Sequence, residues 1–155
     1  MFRILFVCHG NICRSPMAEF VMKNLVENVG LADKFKIESA AVSSEEIGNA
    51  VYPPVKRILM EHGISCEGKY ARKMTLQDYR DFDLIVAMDS DNLRRIRNIC
   101  GADTENKVCL LKKFLGEPYG EVSDPWYTGE FNTTWNEVFA GCEAIVEHCK
   151  NSKLI

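Results

Sequence analysis

The chain has 155 residues, 46% of them apolar and 26% charged, with a formal net charge of −3. This is the size and composition of one folded domain, which excludes a disordered chain, and an acidic balance with no long Lys/Arg run excludes a non-specific nucleic-acid binder. No apolar stretch approaches the roughly 18 residues of a membrane span, and the N-terminal apolar run is too short for a signal-peptide core, so a soluble, cytoplasmic protein is expected.

Residues 2–7 read as a buried strand, because Ile4-Leu5-Phe6-Val7 is an unbroken apolar run. Cys8-His9-Gly10-Asn11-Ile12-Cys13-Arg14-Ser15-Pro16 then reads as a tight loop leading into a helix over 16–29. Ser15 fits the N-cap, Pro16 the first turn and Gly30 the C′ position. A second strand is expected over 36–42, followed by a loop from Ser43 to Pro54. A helix runs from Pro54 to His62 and stops at Gly63. Thr75-Leu76-Gln77-Asp78 opens a short helix with a capping-box pattern. Asp83 to Met88 is the third strand, Ser90 to Cys100 a helix closed by Gly101, and Lys107 to Leu111 the fourth strand. A long loop over 117–129 precedes a last helix over 131–149. Strands alternating with helices imply right-handed βαβ units. The expected fold is therefore α/β: a single doubly wound domain over 1–155, with a four-stranded parallel sheet flanked by helices on both faces. Ligands in such sheets bind beyond the carboxyl ends of the strands, where the Cys8 loop lies.

Seven cysteines are scattered at 8, 13, 66, 100, 109, 142 and 149. An odd, dispersed count is not a disulfide framework, and most are expected as buried thiols. Cys8 and Cys13 differ, because they share one short loop. That loop sits at a helix N-terminus, where free N–H groups and the helix dipole favour an anion. Gly10 and Asn11 are its residues best able to take a positive φ, which an anion-cradling loop needs. Arg14 offers a planar fork for two phosphate oxygens. The same field favours the thiolate of Cys8, and Ser15 is placed to donate to it. Such a thiolate below a bound phosphate is set to attack phosphorus in line. The leaving oxygen then needs an acid, and Asp124 in Ser123-Asp124-Pro125-Trp126-Tyr127 is the candidate. Pro125 biases Asp124 toward an extended backbone, and Trp126 and Tyr127 are placed to wall a slot for a phenyl ring. From the residues alone, Cys13 is either a structural thiol or a redox partner. His9 is expected to face outward beside the phosphate entrance. His62, His148 and the cluster Arg94, Arg95 and Arg97 are expected as solvated helix surface.

Cys8-x5-Arg14-Ser15 at the first strand–helix junction, with Asp124-Pro125-Trp126-Tyr127 late in the chain, resembles the low-molecular-weight protein tyrosine phosphatase family. Glu38-Ser39-Ala40 and Ala87-Met88-Asp89-x-x-Asn92 extend the resemblance over nearly the whole chain. The resemblance implies a phosphotyrosine-protein phosphatase working through a phosphocysteine at Cys8, without metal or cofactor. By it, the phosphate-binding loop is His9, Gly10, Asn11, Ile12, Cys13, Arg14 and Ser15, and Asp124 is general acid and then base. Asn11 and Ser39 hold the loop, Ser15 stabilises the thiolate, and Cys13 captures oxidised Cys8 as a disulfide. Ile12, Glu45, Trp126 and Tyr127 wall the substrate slot. Glu45 departs from the family, which often has an aromatic there; this weakens stacking on phosphotyrosine and disfavours acidic phosphopeptides. The partners implied are phosphotyrosine proteins or peptides, with inorganic phosphate and other oxyanions as inhibitors. No nucleic acid or membrane is involved, and the state is a monomer or weak dimer.

Three alternatives stay open at this level. Protein-arginine phosphatases share the loop but carry Thr where this chain has Ile12, which suits a phenyl ring better. Arsenate reductases of the same fold need a further cysteine pair after the third strand; here Met88-Asp89 stands there, and Cys100 and Cys109 come later in a helix end and a strand. A thiol redox-sensing or phosphate-binding module would not need Asp124. A metal site is weakly supported by one Cys-x4-Cys pair, and a Walker loop by nothing, since Gly-Lys-Ser/Thr is absent.

Overall fold

The computed structural model describes residues 1–155. Four strands, β1 (Phe2–Cys8), β2 (Phe35–Ala41), β3 (Leu84–Ala87) and β4 (Val108–Leu110), form one parallel sheet in the order β2-β1-β3-β4. Six helices accompany it: α1 (Arg14–Asn28), α2 (Pro53–Glu61), α3 (Leu76–Asp81), α4 (Ser90–Cys100), α5 (Pro125–Thr128) and α6 (Phe131–Asn151). No helix is long and apolar enough to cross a membrane.

The unbroken apolar run of β1 follows from helices on both sides. Ile4, Phe6 and Cys8 point into a core shared with α1, α2 and α6. Leu5 and Val7 point the other way, toward Tyr79, Phe82 and Ile96 of the α3/α4 layer. A strand buried on both faces has no polar side to alternate with. Packing on the first side is close: a Cβ on Gly141 of α6 would lie 2.5 Å from Leu111 Cγ.

The chain leaves β2 at one edge and returns to β3 beside β1, so the strand order reverses between β1 and β3. That reversal opens a crevice beyond their carboxyl ends, the usual binding position in doubly wound sheets. The residues that follow those ends are the Cys8 loop and Met88-Asp89.

Several expected boundaries move, for local reasons. Helix α1 begins at Arg14, and its N-cap is Cys13 with no capping side chain; Ser15 is inside the first turn. The Ser-Pro pair reads as a cap in sequence, but the Ser15 hydroxyl is claimed by Cys8 and Asn11 instead. The fourth strand is shorter than expected, because Leu111–Leu115 turns into a 3₁₀ helix. The long loop over 117–129 contains α5, whose N-cap is Asp124, with Pro125 in its first turn. Gly30 and Gly63 do take the left-handed conformation just past α1 and α2, and Thr75 and Asp78 do form a capping box.

Candidate active site

The loop after β1 is tied down by its carbonyls. The Cys8 carbonyl accepts from Val42 N, that of His9 from Ser43 N, that of Ile12 from Tyr52 N and that of Cys13 from Met17 N. Meanwhile the amides of His9 through Cys13 donate to no backbone carbonyl. With these four carbonyls engaged and the amides left free, the loop has the makings of an anion-binding nest beside the α1 N-terminus. Asn11 alone in this loop carries a positive φ, 60°. Gly10 does not, contrary to the expectation. Its lack of a Cβ serves close approach instead, since one there would stand 3.2 Å from Glu46 Cγ.

Two donors converge on Cys8 Sγ: the Ser15 hydroxyl at 3.0 Å and the Ser15 amide at 3.4 Å. Their direction is fixed by a buried carboxylate that the sequence reading did not single out. Glu19 is 4% exposed, and its Oε1 lies 2.5 Å from Ser39 Oγ. A carboxylate only accepts, so Ser39 donates to Glu19 and must itself accept from Asn11 Nδ2, at 2.9 Å. Asn11 Oδ1 accepts from the Arg72 amide, which holds the side-chain amide in that orientation. The second Asn11 Nδ2 proton therefore goes to Ser15 Oγ, at 2.8 Å. The Ser15 hydroxyl proton is left free to point at Cys8, and does so when Cys8 is a thiolate, which only accepts. Glu19 is itself held by Lys23 at 2.6 Å and Lys69 at 3.4 Å. Burial pulls the Lys69 ammonium below the ordinary lysine range, against the opposing pull of Glu19.

Arg14 is 2% exposed and braces the crevice from β1 to β3. Its Nη1 donates to Asp89 Oδ2 at 2.8 Å and to the Val122 carbonyl at 3.1 Å, and its Nη2 to Asp124 Oδ2 at 3.3 Å. That uses three of its five donors. The remaining Nε–H and second Nη2–H form the edge of the guanidinium suited to a two-oxygen grip. Burial works against its charge, but facing Cys8, Asp124 and Asp89 raises its pKa overall, so it stays cationic. Asp124 is extended, as Pro125 predicts, and its Oδ1 accepts from Trp126 N at 3.1 Å.

Cys8 and Arg14 sit at the floor of a cavity of about 400 Å³. Cys13, Ile12, His9, Asp124, Trp126 and Tyr127 line it, as do Glu45, Glu46, Asp89, Asp91, Asn92 and Arg95. Trp126 is 53% and Tyr127 83% exposed, so neither is a core residue. Trp126 rests on Tyr52, ring centroids 4.9 Å apart, and Tyr52 stacks on Phe131. His9 lies at the entrance, its Nε2 3.0 Å from Glu45 Oε2. Burial first, and then the neighbouring Cys8 and Asp124 charges, push the Cys13 thiol well above the usual range. Asn11 and Ser39, joined by their hydrogen bond, are not among the residues that line the cavity. His62 is exposed but stacks on Trp135, centroids 3.9 Å apart, rather than standing free. No group of three or more His, Cys, Asp or Glu is placed to hold a metal ion. Asp89, Glu19, Lys69 and Tyr52 were not assigned roles from the sequence. The signals available were Asp89 in the Met88-Asp89-x-x-Asn92 motif and Glu19 at the end of the run Arg14-Ser15-Pro16-Met17-Ala18-Glu19; Lys69 and Tyr52 carried none.

Residues 3–154 match the family model described as low molecular weight phosphotyrosine protein phosphatase. The protein named low molecular weight protein-tyrosine-phosphatase YfkJ from Bacillus subtilis is 37% identical over 154 residues, 99% of each chain. Its crystal structure superposes with a TM-score of 0.94, covering 99% of this chain and 97% of that one. A Drosophila protein described as an arginine phosphatase is 32% identical, with a TM-score of 0.84 over 95% of this chain and 97% of that one.

The donor relay behind Cys8 makes a prediction that separates orientation from charge. Glu19→Gln should lower kcat/KM roughly tenfold, the scale of one lost oriented hydrogen bond, and destabilise the fold by about 3 kcal/mol by leaving Lys69 without a counter-charge, with only its bond to the Ser39 carbonyl. The double variant Glu19→Gln/Lys69→Met should regain most of that stability while its kcat/KM stays low. Chemical denaturation and steady-state kinetics check both arms. Full recovery of kcat/KM in the double variant would remove Glu19 from any orienting role.

Proposed function

The chain belongs to the low molecular weight phosphotyrosine protein phosphatase family, and we propose from that premise how its own residues divide the work. It is a protein-tyrosine phosphatase, a hydrolase acting through a cysteine-phosphate intermediate. The loop amides and the free edge of Arg14 take the phosphate oxygens, leaving phosphorus facing Cys8. The Cys8 thiolate attacks, a P–S bond forms, and the P–O bond to the tyrosine ring breaks as Asp124 gives that oxygen its proton. Asp124 then takes a proton from water, which attacks phosphorus, breaks the P–S bond and yields inorganic phosphate. Asn11, Ser39 and Ser15 keep the loop and thiolate in register, and Ile12, Trp126, Tyr127 and Glu45 flank the phenyl ring. Inorganic phosphate and other oxyanions compete for the same loop. The observation that carries this reading is the convergence of two Ser15 donors on Cys8 Sγ, inside a ring of amides that no backbone carbonyl accepts from.

Similarity to a protein described as an arginine phosphatase keeps phosphoarginine as the second reading. Ile12 argues against it, since an apolar side chain offers a guanidinium no acceptor. Cys13 is the resolving thiol: peroxide oxidises Cys8 to the sulfenic acid, and Cys13 gives up its proton and attacks that sulfur, so that hydroxide leaves as water and a disulfide forms, with the burial that favours the protonated Cys13 keeping this step slow. Seven unpaired cysteines fit a reducing compartment, and we place the enzyme in the cytoplasm.

Turnover of a phosphotyrosine peptide and a phosphoarginine-bearing protein, measured side by side with chelator present, is the direct test. Phosphotyrosine should be preferred, and Cys8→Ser should fall below about a thousandth of wild type. A preference for phosphoarginine would overturn the reading of Ile12, and hydrolysis of neither would overturn the enzyme. Asp124→Ala should slow substrates with poor leaving groups by about 10²–10⁴ and good ones far less. An even slowdown across leaving groups would remove Asp124 as the acid. After peroxide treatment, peptide mass spectrometry should find Cys8 joined to Cys13; Cys8 sulfinic acid beside a free Cys13 would count against the pairing.

A further inference from the structure

The floor and the rim of the cavity carry opposite charge, and the cations are already committed. Arg14 is bound to Asp89 and Asp124, and Arg95 to Asp91 at 2.9 Å. The two remaining rim acids, Glu45 and Glu46, have no Lys or Arg partner. Glu45 meets only His9, at 3.0 Å, and Glu46 only the neutral Asn49 amide, at 2.6 Å. Both are held at the entrance. Glu46 packs against Gly10 of the phosphate loop. The segment that carries them is pinned at Ser43, whose amide and hydroxyl both donate to the His9 carbonyl, and at Gly48, whose amide donates to the Ala71 carbonyl. A carboxylate fixed beside the phosphate loop acts on whatever side chains flank the phosphorylated residue.

We propose that Glu45 and Glu46 make this enzyme select phosphotyrosines flanked by Lys or Arg and reject those flanked by Asp or Glu. The inference rests on the phosphotyrosine reading of the same cavity. A flanking cation takes the place of His9 at Glu45 or adds a charged donor at Glu46, whereas a flanking carboxylate meets uncompensated negative charge at short range. Exposure keeps the effect moderate, and salt screens it.

The test uses the intact enzyme and three phosphotyrosine peptides that differ only in having Lys, Ala or Glu on either side. At low ionic strength kcat/KM should fall in that order, by about tenfold from the Lys to the Glu peptide, and the ratio should approach about twofold in 0.5 M salt. The double variant Glu45→Gln/Glu46→Gln should flatten the ratio. A disturbance of folding would lower all three peptides alike and leave the ratio standing. Because the salt titration needs no variant, it decides the matter even if the double variant fails to fold. Three peptides hydrolysed equally well at low salt would overturn the proposal and leave the phosphatase reading intact. Hydrolysis of none of them, with the aryl phosphate p-nitrophenyl phosphate still cleaved, would overturn phosphotyrosine peptides as the substrate class and this proposal with it.

Discussion

A carboxylate accepts hydrogen bonds and donates none, and burying Glu19 between α1 and β2 gives that simple fact long reach. Ser39 is forced to donate to it, so Asn11 is forced to donate to Ser39 and to Ser15, and Ser15 is left with its proton facing Cys8. Each group in the relay has more than one way to bond in isolation. Together they leave the Ser15 proton available to Cys8, because the terminus cannot reverse. A relay without a fixed end would let Ser15 accept from a protonated thiol as easily as donate to a thiolate. Its location also matters: the relay runs behind the loop, away from the cavity, so substrate binding does not compete with it.

Arg14 organises the opposite side. Its guanidinium spans the crevice where the strand order reverses, touching Asp89 after β3 and Asp124 before α5. One cation thereby ties the proposed nucleophile's loop to the proposed acid's loop, although the two are over a hundred residues apart in sequence. Removing it would leave two carboxylates facing one another around a phosphate site, so Lys is a poor substitute: it lacks the planar set of donors that serves three acceptors and still leaves an edge unused. The same brace explains why Pro125 follows Asp124. An extended Asp124 points back toward Arg14, and the short α5 turns Trp126 and Tyr127 outward.

What the sequence made legible was whatever lies contiguous in the chain. Cys8 to Ser15 is one loop, Asp124 to Tyr127 another, and the βα alternation with its capping residues placed both at strand ends. Ser15 was misplaced as an N-cap because a Ser-Pro pair has that propensity by itself, although Cys8 and Asn11 of the same loop claim its hydroxyl. Gly10 was given a backbone role because a glycine in a tight loop suggests positive φ, while its actual neighbour is Glu46 from another segment. Glu19 and Lys69 were given no role for a deeper reason. Nothing in a helical pattern tells a buried charge from a solvated one, and only the packing of α1 on β2 shows that Glu19 is buried and answered by a lysine fifty residues on.

A formal charge of −3 opposes a dianionic substrate at long range, yet the two facts act at different distances. On the proposed reading, attraction for the phosphate is local, made by amides, one helix N-terminus and one buried guanidinium at contact range. Net charge and rim carboxylates act from farther out through solvent, where a single charge is worth a fraction of that. The proposed division gives phosphate binding to the floor and leaves the rim, at Glu45 and Glu46, only enough influence to rank the peptides that carry it. Such a division lets the surface of the fold change from one relative to another without disturbing the loop beneath, because no residue of the relay from Glu19 to Cys8 reaches the rim.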